Sequence, residues 1–303
     1  MLRYKKSRSR AIFEVCNTIF LAIVIFVTVS PFLLILASSL SGIAPIIQKR
    51  VYFLPIDITL EGYRQIFQDG TIFAAYYNTL WYVLVGVAIS LTLTLTAGYA
   101  LSRRYYSLRS HILILITITM FFSGGLVPSY VLVNQLGIFD TRWAIVLPGA
   151  VSAWNLMLTR VFMQSSMPDE LAEAAKIDGA NDLHVFLRIA IPLSKAIIAV
   201  LALFYGVALW NSWFGAMLYL RNQDYMPLSL FLRRLILVGG TGNTMVGGGL
   251  LDKETLYDPA RLMAVKERMK YGSVIVTMLP IMMVYPFLQK YFAKGVMIGA
   301  LKE

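Results

Sequence analysis

From Val15 to Gln48 the chain contains no Asp, Glu, Lys or Arg, and the same is true of five further stretches. These are Gly70 to Ser102, Ser110 to Phe139, Trp143 to Thr159, Ala196 to Leu220 and Tyr271 to Gln289. A helix of about 20 apolar residues crosses a hydrocarbon core of about 30 Å. Only helices and closed barrels satisfy their backbone polar groups in lipid. The runs are long and uninterrupted, with no alternation of polar and apolar positions, so they predict helices. The expectation is an all-α integral membrane protein with six transmembrane helices. Composition agrees: 58% of the residues are hydrophobic and 14% are charged, against about 25% charged in an average soluble domain.

The formal net charge of +11 would suggest nucleic acid as a partner in a soluble domain. Here the basic clusters sit at the ends of the apolar runs, where they orient spans instead, and no nucleic-acid partner is expected. Arg3, Lys5, Lys6, Arg8 and Arg10 precede the first run. Arg103, Arg104 and Arg109 link the second and third, and Lys290, Lys294 and Lys302 follow the sixth. With six alternating spans all three clusters fall on one side, which the positive-inside rule makes the cytoplasm. The chain then reads as one transmembrane domain over 1–303, with cytoplasmic termini at 1–14 and 290–303. External loops are expected at 41–70 and 221–270, and a cytoplasmic loop at 165–192. The basic residues between Arg221 and Lys270 oppose this order, but long loops translocate largely regardless of charge. The first apolar run exceeds a signal-peptide core, so an uncleaved first span is expected. The glycines from Gly239 to Gly249 read as a flexible external loop, without the Gly-Lys-Ser/Thr ending of a P-loop. The single cysteine, Cys16, excludes an intrachain disulfide, and His111 and His184 lack metal-ligand spacing.

The segment Ser165 to Asp182 carries strong local signals. Ser165 or Ser166 can cap a helix, Pro168 suits its first turn, and Asp169 and Glu170 complement the dipole. Leu171 to Lys176 are helix formers, and Gly179 is a natural stop. Asn181 or Asp182 can cap a second helix running from Leu183 towards Pro192. On chemistry alone this is either an amphipathic connector on the membrane or a docking element. The spacing of Glu173-Ala174-Ala175, three residues, Gly179, nine residues and Ile189-Ala190-Ile191-Pro192 resembles the EAA loop of ABC importer permeases. Ile191 stands where that pattern often has Leu. Phe122 to Pro128, Asp140 to Ala144, Leu147-Pro148-Gly149, Trp210 to Phe214 and Lys294 to Glu303 are similar to the carbohydrate, maltose-permease-like branch. More narrowly, they resemble permeases for oligosaccharides of acidic polysaccharides such as alginate or pectin.

The resemblance implies a type I ABC importer permease fold in the bacterial cytoplasmic (inner) membrane, with the EAA loop as a coupling helix. Glu173, Ala174, Ala175, Gly179 and Pro192 would couple to a separate ATPase. Ala174 and Ala175 allow close approach, Glu173 offers a carboxylate, and Gly179 permits the turn. Implied partners are a second permease in a heterodimer, two copies of the ATPase, an extracellular or periplasmic solute-binding protein and an oligosaccharide cargo. No cofactor is expected on this chain, ATP and Mg belonging to the ATPase, and no catalysis of its own. For the cargo, Trp210, Asn211, Trp213 and Phe214 are candidates, with Trp154, Asn155, Asn78 and Trp81 behind them. Trp210 and Trp213, three apart on a helix, would share a face. The competing reading of each aromatic is helix packing or interface anchoring. Arg233 and Arg234 read as a solvated pair, or as an attraction for a uronate.

Rival functions fit less well. Proton-coupled transport places ionisable groups inside spans, and the six runs hold no Asp or Glu. A zinc hydrolase needs His-Glu-x-x-His, which is absent, and a Ser–His dyad could draw only on His111. A passive channel leaves the loop motif unexplained.

Overall fold

A computed structural model describes residues 8–68, 70–238, 267, 269–283 and 286, and the secondary structure among them is helical throughout. The chain divides into two compact units, one of Met1–Asp69 with Arg234–Leu279, the other of Gly70–Arg233 with Pro280–Glu303.

In the first unit α1 (Arg8–Ser39) is a 32-residue helix. The most apolar 18 residues within Ile12–Ser39 have a mean hydropathy of 2.9, and their side chains face outward on all sides. Such an all-round apolar exterior is what lipid, not water, would cover. Two short helices follow, α2 (Ile43–Ile47) and α3 (Glu61–Gln68), so the expected external loop at 41–70 is largely ordered. Ala37, Ile46 and Val51 form a small core against Tyr271.

The second unit is built on α4 (Thr71–Ser102), 32 residues whose most apolar 18-residue stretch has a mean hydropathy of 1.9. Its buried face is made of small and hydroxylated side chains, among them Ala75, Thr79, Gly86, Ser90, Thr94 and Gly98. Small residues let membrane helices approach closely, and two of these glycines are needed for it. A Cβ at Gly86 would lie 2.5 Å from Leu209 Cδ1, and one at Gly98 2.6 Å from Thr159 Cγ2. These contacts seat α12 (Lys195–Trp210) and α8 (Ala153–Ser166) on α4. The hydroxyls of Thr94 and Tyr205 meet at 2.7 Å, and Ser152 N–H donates to Tyr205 Oη at 3.2 Å.

The apolar runs are more broken than the sequence suggests. The third divides into α5 (Arg109–Phe121) and α6 (Leu126–Gln135), which meet at 119°. Ser123-Gly124-Gly125 breaks the helix, with Gly125 at φ +85°. The expected span Trp143 to Thr159 is a single turn, α7 (Trp143–Val146), and then α8. Pro148 has no N–H with which to extend α7, and Ser152 caps the new start. The expected span Ala196 to Leu220 ends at Trp210, and α13 (Trp213–Tyr219) begins after Asn211-Ser212. Among the described residues two helices, Ile12–Ser39 and Thr71–Ser102, are single helices long enough to span, and α15 (Met269–Met283) is shorter. The glycine-rich stretch from Gly239 to Gly249 and the C-terminal segment 290–303 lie outside the described residues.

Between α8 and α12 run α9 (Asp169–Ile177), α10 (Asp182–Val185), a π-helical turn (Phe186–Ala190) and α11 (Ile191–Leu193). The chain then bends by 80° into α12. The expected external loop at 221–270 begins with a 3-10 turn (Gln223–Tyr225) and α14 (Leu228–Val238).

Candidate functional site

The segment from Pro168 to Pro192 sits on the largest core of the second unit, where Leu95 and Tyr99 of α4 meet Met163, Met167, Ala172, Val185, Ala190, Ile197 and Leu201. Ala172 and Val185 are its buried anchors, Ala175 packs on the core edge, and Glu173, Ala174 and Pro192 remain exposed. Among the described residues Glu173 has no ion-pair partner. Gly179, at φ +84°, ends α9. Its N–H donates to Lys176 O at 3.0 Å, and that of Ala180 donates to Ala175 O at 2.9 Å. This pair of bonds is a Schellman stop, which satisfies carbonyls the helix leaves free. Asn181 caps α10, its Oδ1 accepting from His184 N–H at 2.8 Å. The start differs from expectation. Ser165 and Ser166 donate to Phe162 O within α8, and Pro168 occupies the cap position of α9.

Arg103, one residue past the end of α4, pins this segment. Its side chain is 1% exposed. Nη2 donates to Met163 O at 3.3 Å and Met167 O at 3.0 Å. Nη1 reaches Asp169 Oδ1 at 3.4 Å, and Nε donates to Ser102 Oγ at 3.0 Å. One guanidinium thus joins a carbonyl in the last turn of α8, the carbonyl just past its end and the first carboxylate of α9. Arg104 Nε lies 3.4 Å from Asp169 Oδ2. At the far end of α9, Lys176 Nζ stands 3.0 Å from Asp182 Oδ1 and over the Tyr105 ring, whose hydroxyl donates to Asp182 at 2.9 Å. The hydrogen bond from Lys176, then that from Tyr105, holds the Asp182 carboxyl below the usual range. Burial, reinforced by Asp182, raises the Tyr105 hydroxyl. Beside the clasp lies a groove of about 580 Å³ lined by Arg104, Tyr105, Gln164, Asp169, Glu173 and Lys176. Sequence reasoning took Arg103 and Arg104 as orienting charges and missed the clasp, because no local spacing links residue 103 to 163, 167 and 169.

The cargo candidates scatter. Trp210 is buried at the end of α12, whereas Trp213 opens α13 after a break, so the two do not share one helical face. Asn211 turns its amide onto Val207 O at 2.9 Å. Asn78 is 1% exposed, with both ends of its amide engaged. Nδ2 donates to Asp224 O at 2.6 Å and Met226 O at 3.2 Å, and Oδ1 accepts from Arg142 Nη2 at 2.9 Å. Arg142 lies over the rings of Tyr77, Trp81 and Tyr225, 5.2–5.5 Å from each centroid. Asn155 is buried. Trp154, 63% exposed, and Phe214, 45% exposed and edge-on to Trp213, are the candidates that present aromatic surface.

No protein-family profile matches the chain. The chain is 38% identical to Protein LplC of Bacillus subtilis (strain 168) over 98% of its own length and 97% of the relative's. It is 34% identical to the polygalacturonan/rhamnogalacturonan transport system permease protein YtcP of the same strain, over 93% of this chain and 96% of that one. The chain belongs to the carbohydrate ABC transporter permeases. The permease also superimposes on the crystal structure of a bacterial ABC transporter involved in the import of the acidic polysaccharide alginate. The TM-score is 0.85 at 31% identity, covering 95% of the permease and 99% of that chain.

Proposed function

We propose that this permease forms half of an oligosaccharide pathway and is driven through the α9–Gly179–α10 segment by a separate ATPase. The observation that carries this reading is the clasp of Arg103, Tyr105, Lys176 and Asp182, which ties the segment to the end of α4 while leaving Glu173 and Ala174 outward. A docking partner that pulls on α9 then also pulls on α4. The exposed Glu173 carboxylate suits a basic group in the partner's cleft, and Gly179 keeps the turn compact. With one such segment per chain, the complex needs a second permease, two ATPase copies that carry ATP and Mg, and an external solute-binding protein. In this reading the segment and both termini face the bacterial cytoplasm. An oligosaccharide cargo is supported by the relatives, and acidic sugars by two of them, the polygalacturonan permease and the alginate importer.

The test is uptake and cargo-stimulated ATP hydrolysis in vesicles holding the whole importer. Glu173→Lys replaces attraction by repulsion at a partly buried interface, a change of about 2–5 kcal/mol. Gly179→Val forces a β-branched residue to positive φ, at about 1–3 kcal/mol. Both variants are expected to abolish transport and loosen the ATPase while the permease pair still inserts. Normal coupled hydrolysis in both would reduce the segment to a connector.

A further inference from the structure

Arg233 on α14 is not the solvated charge its sequence context suggests. Its Cζ stands 3.6 Å from the centroid of the Trp213 ring. Its Nε is buried without a hydrogen-bond partner, and so are Ser229 Oγ, one turn earlier on α14, and Ser212 Oγ, beside Trp213. Among the described residues no carboxylate pairs with Arg233. Phe214 follows Trp213 in sequence, meets it edge-on at 5.4 Å, and is 45% exposed. Trp213 packs at the edge of the core formed by Tyr82, Ile145, Val146, Ala216, Leu220 and Leu230. A half-buried cation with an unpartnered Nε therefore stands over Trp213 at the break between α12 and α13, with an unpaired hydroxyl on either partner's own element and the exposed Phe214 ring beside it.

We infer that Arg233, Trp213 and Phe214 form a subsite for a carboxylate-bearing sugar, with Arg233 as its specificity-determining residue. An unpaired guanidinium is matched by a planar carboxylate, which it can bind bidentately. The face of Trp213 preorganises the fork by holding it flat. Phe214 offers the apolar surface against which the C–H face of a pyranose packs. Ser212 and Ser229 supply hydroxyls for the remaining carboxylate lone pairs or the ring hydroxyls. The inference deepens, and rests on, the reading of this chain as a carbohydrate importer subunit.

The experiment uses the importer reconstituted with its partner permease, ATPase and solute-binding protein. The readout is the ratio of trigalacturonate uptake to uptake of its carboxyl-reduced, neutral counterpart. Arg233→Gln is expected to lower that ratio about tenfold, the loss of one charge-assisted contact. Arg233→Lys keeps the charge without the fork and falls between. Arg234→Gln, an equal change of net charge one residue away, leaves the ratio unchanged. A residue that only props α14 lowers both uptakes together and does not move the ratio. If Arg233→Gln fails to assemble, Arg233→Lys carries the test. An unaltered ratio in an assembled Arg233 variant overturns the subsite. Preference of the unmodified importer for the neutral sugar also overturns it, while leaving the carbohydrate reading intact. Uptake of neither sugar, nor of maltotriose, sinks the carbohydrate reading itself.

Discussion

Two arginines hold opposite ends of α4, and they are held in different ways. Arg103, beyond its C-terminus, is sealed from solvent and bonded to backbone carbonyls and a carboxylate. Arg142 lies against the N-terminal third of the same helix, in a box of Tyr77, Trp81 and Tyr225 with one neutral hydrogen bond to Asn78. The first arrangement is directional and intolerant, since each of the three guanidinium nitrogens has an assigned acceptor. The second is broad, because ring faces attract a cation over a range of angles. Under the coupling proposed above, a rigid joint would suit the end where force enters, and a yielding one the end that rearranges.

The sharpest way to break this comparison is Arg103→Ala. It takes the Met167 carbonyl's buried donor away, leaves Asp169 with Arg104 alone, and empties the space of a side chain that is 1% exposed. The cavity left by so large a buried side chain and the lost hydrogen bonds together cost about 3–5 kcal/mol. The expected result is a large drop in thermal stability of the detergent-solubilised complex and loss of membrane-inserted protein. Arg103→Lys should recover part of the stability, because an ammonium cannot reach all three acceptors. If the alanine variant is as stable as the parent, the clasp is incidental. The same assay on Asn78→Ala is expected to show a smaller loss, about 1–3 kcal/mol, as the Asp224 and Met226 carbonyls and the Arg142 guanidinium lose that partner. Normal stability there would mean that the rings alone hold Arg142.

The local part of this architecture was legible in the sequence. Gly179 as a helix stop and Asn181 as a cap follow from nearest-neighbour chemistry, and the structure forms both. The length of α4 follows from an uncharged run. The breaks were harder to see. A scan for charges passes straight through Ser123-Gly124-Gly125, Leu147-Pro148-Gly149 and Asn211-Ser212, because these residues are uncharged and hydrophobic neighbours mask them. Trp210 and Trp213 were placed on one face only because a continuous helix was assumed. Arg103 was misread for a deeper reason. The same charge that orients a span can also cap two other helices, and that role depends on residues some sixty positions away. The Arg233 stack was invisible likewise, since no pattern in α14 alone announces a ring from α13.

Asp140 shows what a modest loss should look like at the outer end of the comparison. It adopts φ +57°, and its Oδ1 accepts from the N–H groups of Arg221 at 2.7 Å and Asn222 at 2.8 Å. These bonds hold its carboxyl below the usual range. Asp140→Asn keeps the left-handed backbone and an acceptor oxygen, so proteolytic nicking near Arg221 is expected to rise only slightly. Asp140→Val, which favours neither feature, should raise it clearly. Equal nicking in both variants would show that the carboxylate does not fasten this turn.

The smallest expected effect tests the clasp through its protons. The Asp182 carboxyl lies lower in the folded chain than its unfolded value of about 3.9. Its contribution is therefore complete above that value and is lost only as pH falls through the folded one. The Tyr105 hydroxyl lies higher than its unfolded value of about 10. Its contribution is complete below that value and is lost only as pH rises through the folded one. Between the two windows the Lys176–Asp182–Tyr105 link should not respond to pH. Amide exchange at Gly179 and Ala180, corrected for the intrinsic rate, is expected to stay level from about pH 5 to 9. Asp182→Asn at neutral pH should raise it by no more than an exposed ion pair allows, about 0.2–1 kcal/mol. A step in protection inside that window would show that this link does not hold the segment. A segment that yields within the physiological range would erase the contrast between a rigid end and a yielding end of α4.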